Sequence, residues 1–544
     1  MFHQPGVGFW SERNSVVVSL AAQEGDGRRD IQFSELFVAD PFQQRPGLRP
    51  LPDPTARVER DLWLSLALGC FQLHASRIGG DGLGQALIWE RSGPWVLSTR
   101  IRVGSSQAWG SRVSFSPVNP RSSLSLIVLV ALAWLGVVGM GCVASRMGSA
   151  ATEPFPSGKS KKGLQVQMVE DALVLGVAHA ALNINLAQVI HPAGDSNSPS
   201  WMFRGRTLRF HRDYLESMDG QIRPLAEQGV VVSLILLNYV SGDPEVRRIL
   251  QHPDYDPTCP NHLSAFHLDT EEGRVWLQGT LEFLADRWSR RDGPHGRVWN
   301  WIVGNEVNSH WFWSNRGKVT MESFVDGYLP VVRLVHDAVR RSSPRGRVHV
   351  SLDHHWNIRY AGGTEGQTFA GRPFLDRFSA RAKETGDFDW HVAYHPYPEN
   401  LFEPRSWLDT SATDDWRTTP RITFKNLEQL LAYLDQPSLR FEGRRRRVIL
   451  SEQGFHTPEG PDGERIQAEA YAYAWKRVDR MEGIDAFILH RHVDHRDEGG
   501  LRLGLWTRRP DSVSTPDRPK LIHEVFRKAG SGTGLEVEGS DGGR

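Results

Sequence analysis

Two glutamates stand where an apolar run breaks into polar residues. Val298–Glu306 (VWNWIVGNE) ends in Glu306, and Arg447–Gln453 (RVILSEQ) carries Glu452. A buried strand running straight into a carboxylate is costly unless that group is hydrogen-bonded or used. Two carboxyls at one mouth, one protonated and one charged, can divide the acid–base and nucleophilic work of cleaving a glycosidic bond. Either could instead be the structural ion-pair partner of an arginine. A third run, Asp387–His395, leads into His395-Pro396-Tyr397-Pro398, and His354, His355, His490 and His492 also fall near run ends. Residues two apart on a strand share a face, so His490 and His492 are expected to point the same way. Such histidines could ligate a metal, but the His-x-His that metal-dependent barrel hydrolases carry on their first strand is not visible. Sugar-hydroxyl donors or acid–base neighbours are the expectation. Trp311 and Trp313, with Asp353, Trp356 and Asn357, are expected to line the cleft or to be packed in its loops. Asn183, Asn185 and Asn238 either contact hydroxyls or are satisfied internally.

The elements that must position these residues alternate along the chain. Apolar strand runs at 180–186, 230–238, 298–306, 347–355, 387–395, 447–453 and 484–492 are separated by helical patterns at 214–228, 274–289, 322–341, 373–384, 426–435 and 465–481. Nearly continuous apolar strands between helices predict a parallel sheet covered on both faces. The fold class expected is α/β, a (β/α)₈ TIM-type barrel over residues 163–528, with an N-terminal extension and a hydrophobic segment. Polar residues at the C-terminal strand ends then face one mouth. Only seven strands are visible. Leu164–Leu175 has helical periodicity, so the first strand is sought before Lys159, from the N-terminal region, or is missing.

The order of these motifs resembles the clan A glycoside hydrolases. In that clan, the Glu ending strand 4 is the acid/base, the Asn before it binds the sugar 2-hydroxyl, and the Glu ending strand 7 is the nucleophile. A Tyr after strand 6 supports that nucleophile. The resemblance implies these roles for Glu306, Asn305, Glu452 and Tyr397, with His355, Trp356, His395, Trp311 and His490 as further substrate-binding residues. The wider sequence, through KSKKGLQVQMVEDAL, GNEVNSHWFW, AYHPYPENLF and ILSEQGFHT, resembles an uncharacterised bacterial family placed near that clan by fold. One departure is that the clan often carries Trp at the end of strand 8, where this chain has His490-Arg491-His492. The function implied is a retaining glycoside hydrolase. A metal-dependent barrel hydrolase and a non-catalytic carbohydrate-binding barrel are the alternatives.

Lysine plus arginine equals aspartate plus glutamate at 64 each, so no net field points to nucleic acid. The partner expected is a carbohydrate, and no cofactor is called for. The 19 tryptophans suit sugar stacking, but they also suit a core. Arg444–Arg447 is read as a solvated surface. Cys70, Cys142 and Cys259 form neither a disulfide framework nor a metal-ligand spacing. Leu124–Ala144 has no charged residue and is long enough to cross a bilayer. It is read as an export signal or membrane anchor, lipidated at Cys142 in one version, which places the protein exported or anchored at a bacterial cell envelope. Residues 1–120 are expected to be a β-rich extension, a disordered one, or sequence upstream of the true start. Residues 147–162 are read as a linker and 529–544 as a disordered tail.

Overall fold

The computed structural model describes residues 153–531 and 535, together with two short antiparallel strands, Ala86–Trp89 and Ser98–Ile101. The second of these lies inside the strand-like run 95–103. The hydrophobic segment 124–144, Cys142 and most of the N-terminal extension lie outside the described residues, as does nearly all of the tail. Among the described residues no helix is long and apolar enough to cross a membrane.

Eight parallel strands close into a barrel. They are β1 (Lys162–Gln165), β2 (His179–Asn185), β3 (Val231–Leu237), β4 (Val298–Val303), β5 (Arg347–Leu352), β6 (Trp390–Tyr394), β7 (Val448–Leu450) and β8 (Ile484–Leu489). Each is followed by a helix that covers the outer face. These are α1 (Val169–Val174), α2 (Arg212–Glu227), α3 (Glu271–Ser289), α4 (Met321–Ser342), α5 (Gly371–Glu384), α6 (Glu428–Leu434), α7 (Gly463–Asp479) and α8 (Leu521–Lys528). The chain is therefore a (β/α)₈ barrel.

The first strand is not upstream of Lys159, and residues 164–175 are not one helix. KGLQ is β1, paired with β8 through Ile488↔Gly163 and with β2 through Leu164↔Ala180. Four residues are too few to display a period of two, and the helical pattern of α1 begins four residues later, so the two merged in the sequence. Gly163 has a steric reason to be glycine. A Cβ there would lie 2.7 Å from Ile488 Cγ1 and 3.0 Å from His179 Cβ.

Two apolar layers result. The large one lies between sheet and helices, with Trp288, Trp301 and Trp390 among its fully buried members. The small one fills the lumen with Ala181, Ile235, Ile302, Ala393, Ile449, Ala486 and Ile488. Because side chains alternate along a strand, these inward residues define a face. Continuing that period to the C-terminal ends brings Gln165, Asn183, Asp353, His395, Ser451 and His490 to the mouth.

The arginine run departs from the solvated surface expected of it. Only Arg444 is exposed, beside Glu442. Arg446 is 1% exposed, donates to Asp387 at 2.7 and 2.8 Å and to three backbone carbonyls, and lies 3.8 Å from the centre of the Trp390 ring. Arg447 and Arg347 both pair with Asp485 at the N-terminal end of the barrel. A buried guanidinium with every donor engaged is structural, and the run's location before β7 puts Arg446 inside.

Candidate active site

Strand β4 delivers Glu306 through a backbone twist. Gly304 has φ +76° and Glu306 itself φ +40°, a left-handed conformation that costs a residue with a Cβ about 1–2 kcal/mol. The Glu306 backbone N–H donates to Ser351 Oγ of β5 at 3.0 Å, which helps hold that geometry. Strain of this kind persists where surrounding contacts over-determine it, and active sites are where it collects. Glu452 follows Ser451, two residues past the end of β7.

One carboxylate oxygen of Glu306, one of Glu452 and a ring nitrogen of His395 lie within 4.8 Å of one another. The two glutamates have different surroundings. Glu306 Oε1 meets His395 Nδ1 at 2.8 Å, and His395 Nε2 faces Ser451 Oγ at 3.0 Å. Glu452 accepts from Tyr397 Oη at 3.2 Å and from Gln165 Nε2 at 3.1 Å. Burial raises the Glu306 carboxyl above its ordinary range; Asp353 and Glu452 add to this, and His395 opposes it. Burial also pushes Glu452 up, but the charges of His490 and His395 and the Gln165 hydrogen bond outweigh it, so Glu452 is held low. His395 is raised: burial pushes it down, and the bond to Glu306 with the negative charges of Glu452, Glu306 and Asp353 more than compensates. The Nδ1···Oε1 contact needs one proton, which either partner can own. One carboxyl disposed to hold a proton beside one disposed to stay charged is the division of labour that acid–nucleophile chemistry requires.

The same three groups are also a donor set for a divalent cation. Their mutual contact argues against it. Lone pairs bound to one ion point at the ion, whereas His395 Nδ1 and Glu306 Oε1 point at each other across a proton.

Asp353, at the end of β5, organises the floor around Glu306. It accepts from Asn308 Nδ2 at 2.8 Å and Ser309 Oγ at 2.5 Å, with His355 Nδ1 at 3.1 Å. Burial would raise Asp353, but His355, His354 and Ser309 together keep it low. Asn305 is largely buried beside Glu306. Of the asparagines, Asn238 donates to the Leu250 and Ala265 carbonyls, and Asn185 Oδ1 accepts from the Ala187 and Tyr239 amides, so both are satisfied internally. Asn183 is exposed at the mouth.

Several expected substrate contacts have other employment. Trp356 is 0% exposed, donates Nε1 to the Trp416 carbonyl and packs edge-on to Tyr433 of α6, so it belongs to the outer core. Trp311 is 8% exposed and offers no open ring face; Trp313, partly buried against the lumen cluster, is the better presented of the two. Tyr239, at the end of β3, is exposed near Glu452. His395 and His490 have both ring nitrogens engaged by protein groups, so neither is a free hydroxyl donor. His490 and His492 do not share a face: β8 ends at Leu489, and His490 meets Gln165 and Glu498 whereas His492 turns to Gln167, Met168 and Asp171. His492 Nδ1 accepts from the Gln167 and Met168 amides and its Nε2 donates to Asp171 at 2.8 Å, which ties β8 to α1.

Gln165 and Glu498 were missed in the sequence: the first was hidden by the helical reading of residues 164–175, and the second lies in the irregular loop after β8. A separate cavity of about 650 Å³ opens at the opposite end of the barrel, lined by Lys161, His179, Arg347, Arg447 and Asp485. Of its cations, Lys161 donates to three backbone carbonyls, and Arg347 and Arg447 pair with Asp485.

The chain belongs to a family of unknown function (DUF5722), whose model matches residues 154–539. No curated protein matches the sequence. Among solved structures, it is similar to a family 39 glycoside hydrolase of Bacteroides cellulosilyticus, at 13% identity and a TM-score of 0.44, covering 86% of this chain and 78% of that one. It is also similar to a hyperthermophilic β-glucosidase of Pyrococcus furiosus, at 16% identity and a TM-score of 0.40, covering 66% of this chain and 82% of that one. A family 1 β-glucosidase of Thermotoga maritima is similar at 13% identity and a TM-score of 0.41, covering 68% of this chain and 86% of that one.

Proposed function

For this member of that family we propose a retaining glycoside hydrolase, with Glu452 as nucleophile and Glu306 as acid/base. The observation that supports it is the approach of two differently tuned carboxylates to within 4.8 Å at the barrel mouth. Retaining enzymes hold their carboxyls about 5–5.5 Å apart, whereas inverting ones leave about 6.5–9.5 Å for a water.

Glu452 attacks the anomeric carbon while Glu306 protonates the leaving oxygen. Once Glu452 is glycosylated its charge is gone, Glu306 becomes a stronger acid, and as a carboxylate it deprotonates the incoming water. Tyr397 and Gln165 orient Glu452, and His395 orients Glu306. Asn305 binds the 2-hydroxyl, and Trp313, Tyr239 and Asn183 offer ring faces and an amide at the rim. Residues 124–144 are proposed to export the protein or anchor it in a membrane, either as a plain signal or anchor or with lipidation at Cys142.

A panel of aryl glycosides offered to the full-length chain tests this. Glu452→Ala abolishes turnover, because it removes the attacking carboxylate. Glu306→Ala loses about 10²–10⁴-fold on substrates with poor leaving groups. It keeps the glycosylation step on dinitrophenyl glycosides and is rescued by azide as the retained glycosyl azide. Azide on Glu452→Ala gives the inverted product. Equal loss in both variants with no azide response overturns the mechanism; binding without turnover across the panel points to a carbohydrate-binding barrel.

A further inference from the structure

Glu452 sits at the head of a hydrogen-bonded chain that leaves the cleft through β1 and returns through the loop after β8. Gln165 Nε2 donates to Glu452 Oε2 at 3.1 Å and lies 3.3 Å from the Ser451 carbonyl. Gln165 Oε1 faces His490 Nδ1 at 2.7 Å. His490 Nε2 faces Glu498 Oε1 at 3.2 Å, and the other oxygen of Glu498 pairs with Arg491.

The donors along this chain follow from its ends. A carboxylate and a backbone carbonyl only accept, so the Gln165 amine must be the end turned to Glu452 and Ser451. That leaves Gln165 Oε1, an acceptor, against Nδ1. Glu498, also an acceptor, stands against Nε2. Both ring nitrogens of His490 therefore need a proton. A neutral ring would set a lone pair against an oxygen on one side or the other, and such a mismatch in a buried site costs more than a lost hydrogen bond.

We propose that His490 is a positioning residue for Glu452: doubly protonated between Gln165 and Glu498, its ring locks the Gln165 carboxamide with the amine turned to the nucleophile. The proposal rests on the nucleophile role given to Glu452. The charges then alternate along the chain, Glu452 negative, His490 positive, Glu498 negative, Arg491 positive. Among the described residues, the charged and titratable groups that act on the ring are Glu498, Arg491 and His495 from the loop after β8 and Glu452 from just past β7, with Tyr397 of the β6 loop held against Glu452. Burial would raise Glu498, but its bond to His490 and the charges of His490 and Arg491 hold it at about 2, so the acceptor on the far side of the ring stays ionised through any working pH. The ring carries charge to the nucleophile while giving up its own hydrogen-bonding edge to the protein.

The test uses the full-length chain with labelled histidine and glutamate. At neutral pH the ¹⁵N spectrum of His490 is expected to show protons on both nitrogens; a single-proton neutral tautomer overturns the proposal, and this measurement needs no variant. In His490→Gln, which can hydrogen-bond but carries no charge, the ¹³C titration of the Glu452 carboxyl is expected to move up by about one pH unit or more. An unmoved Glu452 titration in a folded His490→Gln protein also overturns it. On any glycoside that the wild type cleaves, His490→Gln is expected to lose about tenfold or more in kcat with KM within about twofold, and the acid limb of kcat/KM should move up with Glu452. A rise in KM alone would make His490 a substrate contact and refute the positioning role. The two titrations stand whether or not a glycoside is cleaved, so a Glu452 shift without turnover would sink the hydrolase reading and leave the relay intact.

Discussion

Neutralising Glu452 should lower the pKa of Glu306, and the distance between them sets the size. Glu452→Gln keeps the side-chain volume and the oxygen that accepts from Tyr397, removes one negative charge, and sets an amine against the Gln165 amine, which must turn away. With carboxylate oxygens within 4.8 Å and an effective dielectric of about 20, that charge is worth about 3.5 kcal/mol, or about 2.5 pH units at 1.36 kcal/mol per unit. The charge is spread over two oxygens and already countered by Gln165, Tyr397 and His490, which brings the expected fall to about 1–2 units. The sign is fixed: a negative neighbour favours the protonated acid, and removing it favours the carboxylate. Glu306 remains raised by its burial, the larger cause, so its midpoint falls toward the ordinary range without passing far below it. The assay is the ¹³C titration of Glu306 in the wild type and in Glu452→Gln. In the proposed mechanism this variant mimics the glycosyl-enzyme, in which Glu452 would be an uncharged ester, so the shift would measure how far Glu306 changes from acid to base between the two half-reactions. A Glu306 midpoint that stays put or rises would refute the reasoning. It would mean that the two carboxyls do not sense each other and that no proton cycling is built into the site.

Two further outcomes test the scaffold. Asp387→Ala strands the Arg446 guanidinium inside the protein and should cost about 3–5 kcal/mol. Over residues 153–531, at about 2.1 cal/mol/K per residue, that is a fall in Tm of roughly 4–6 °C by calorimetry; the double variant Asp387→Ala, Arg446→Met should recover much of it, and a silent single variant would show the pair to be idle. Gly163→Ala should cost about 1–3 kcal/mol in denaturant unfolding, because its Cβ meets Ile488 and His179, and an unchanged midpoint would mean that β1 gives way at no cost.

The barrel was legible wherever a strand was long enough to show its pattern. VVSLILL and VWNWIV are continuous apolar runs because parallel strands are covered on both faces, a pattern that barrels share with open doubly-wound sheets, and the order of the glutamate-bearing strand ends singled out the barrel. The positions of Glu306, Glu452, His395 and Tyr397 followed from the same logic, since a strand that stops being apolar at its C-terminal end is opening into the mouth. The four-residue β1 could not be read this way. Its membership depends on Gly163 fitting between Ile488 and His179, a contact between residues more than 300 positions apart along the chain. For the same reason Gln165 could not be placed, and with it the chain from Glu452 to His490 and Glu498. Trp356 shows the converse error: a tryptophan after a strand end points to the cleft or behind the sheet according to how the loop turns, and the hydrogen bond to the Trp416 carbonyl decides it. Local sequence carries periodicity and chemistry type, so it determined the fold and the pair of carboxylates. Which side chain meets which lone pair depends on groups brought together only when the ring closes, so the tertiary structure alone decided that Glu306 shares a proton with His395 while Glu452 receives two hydrogen bonds.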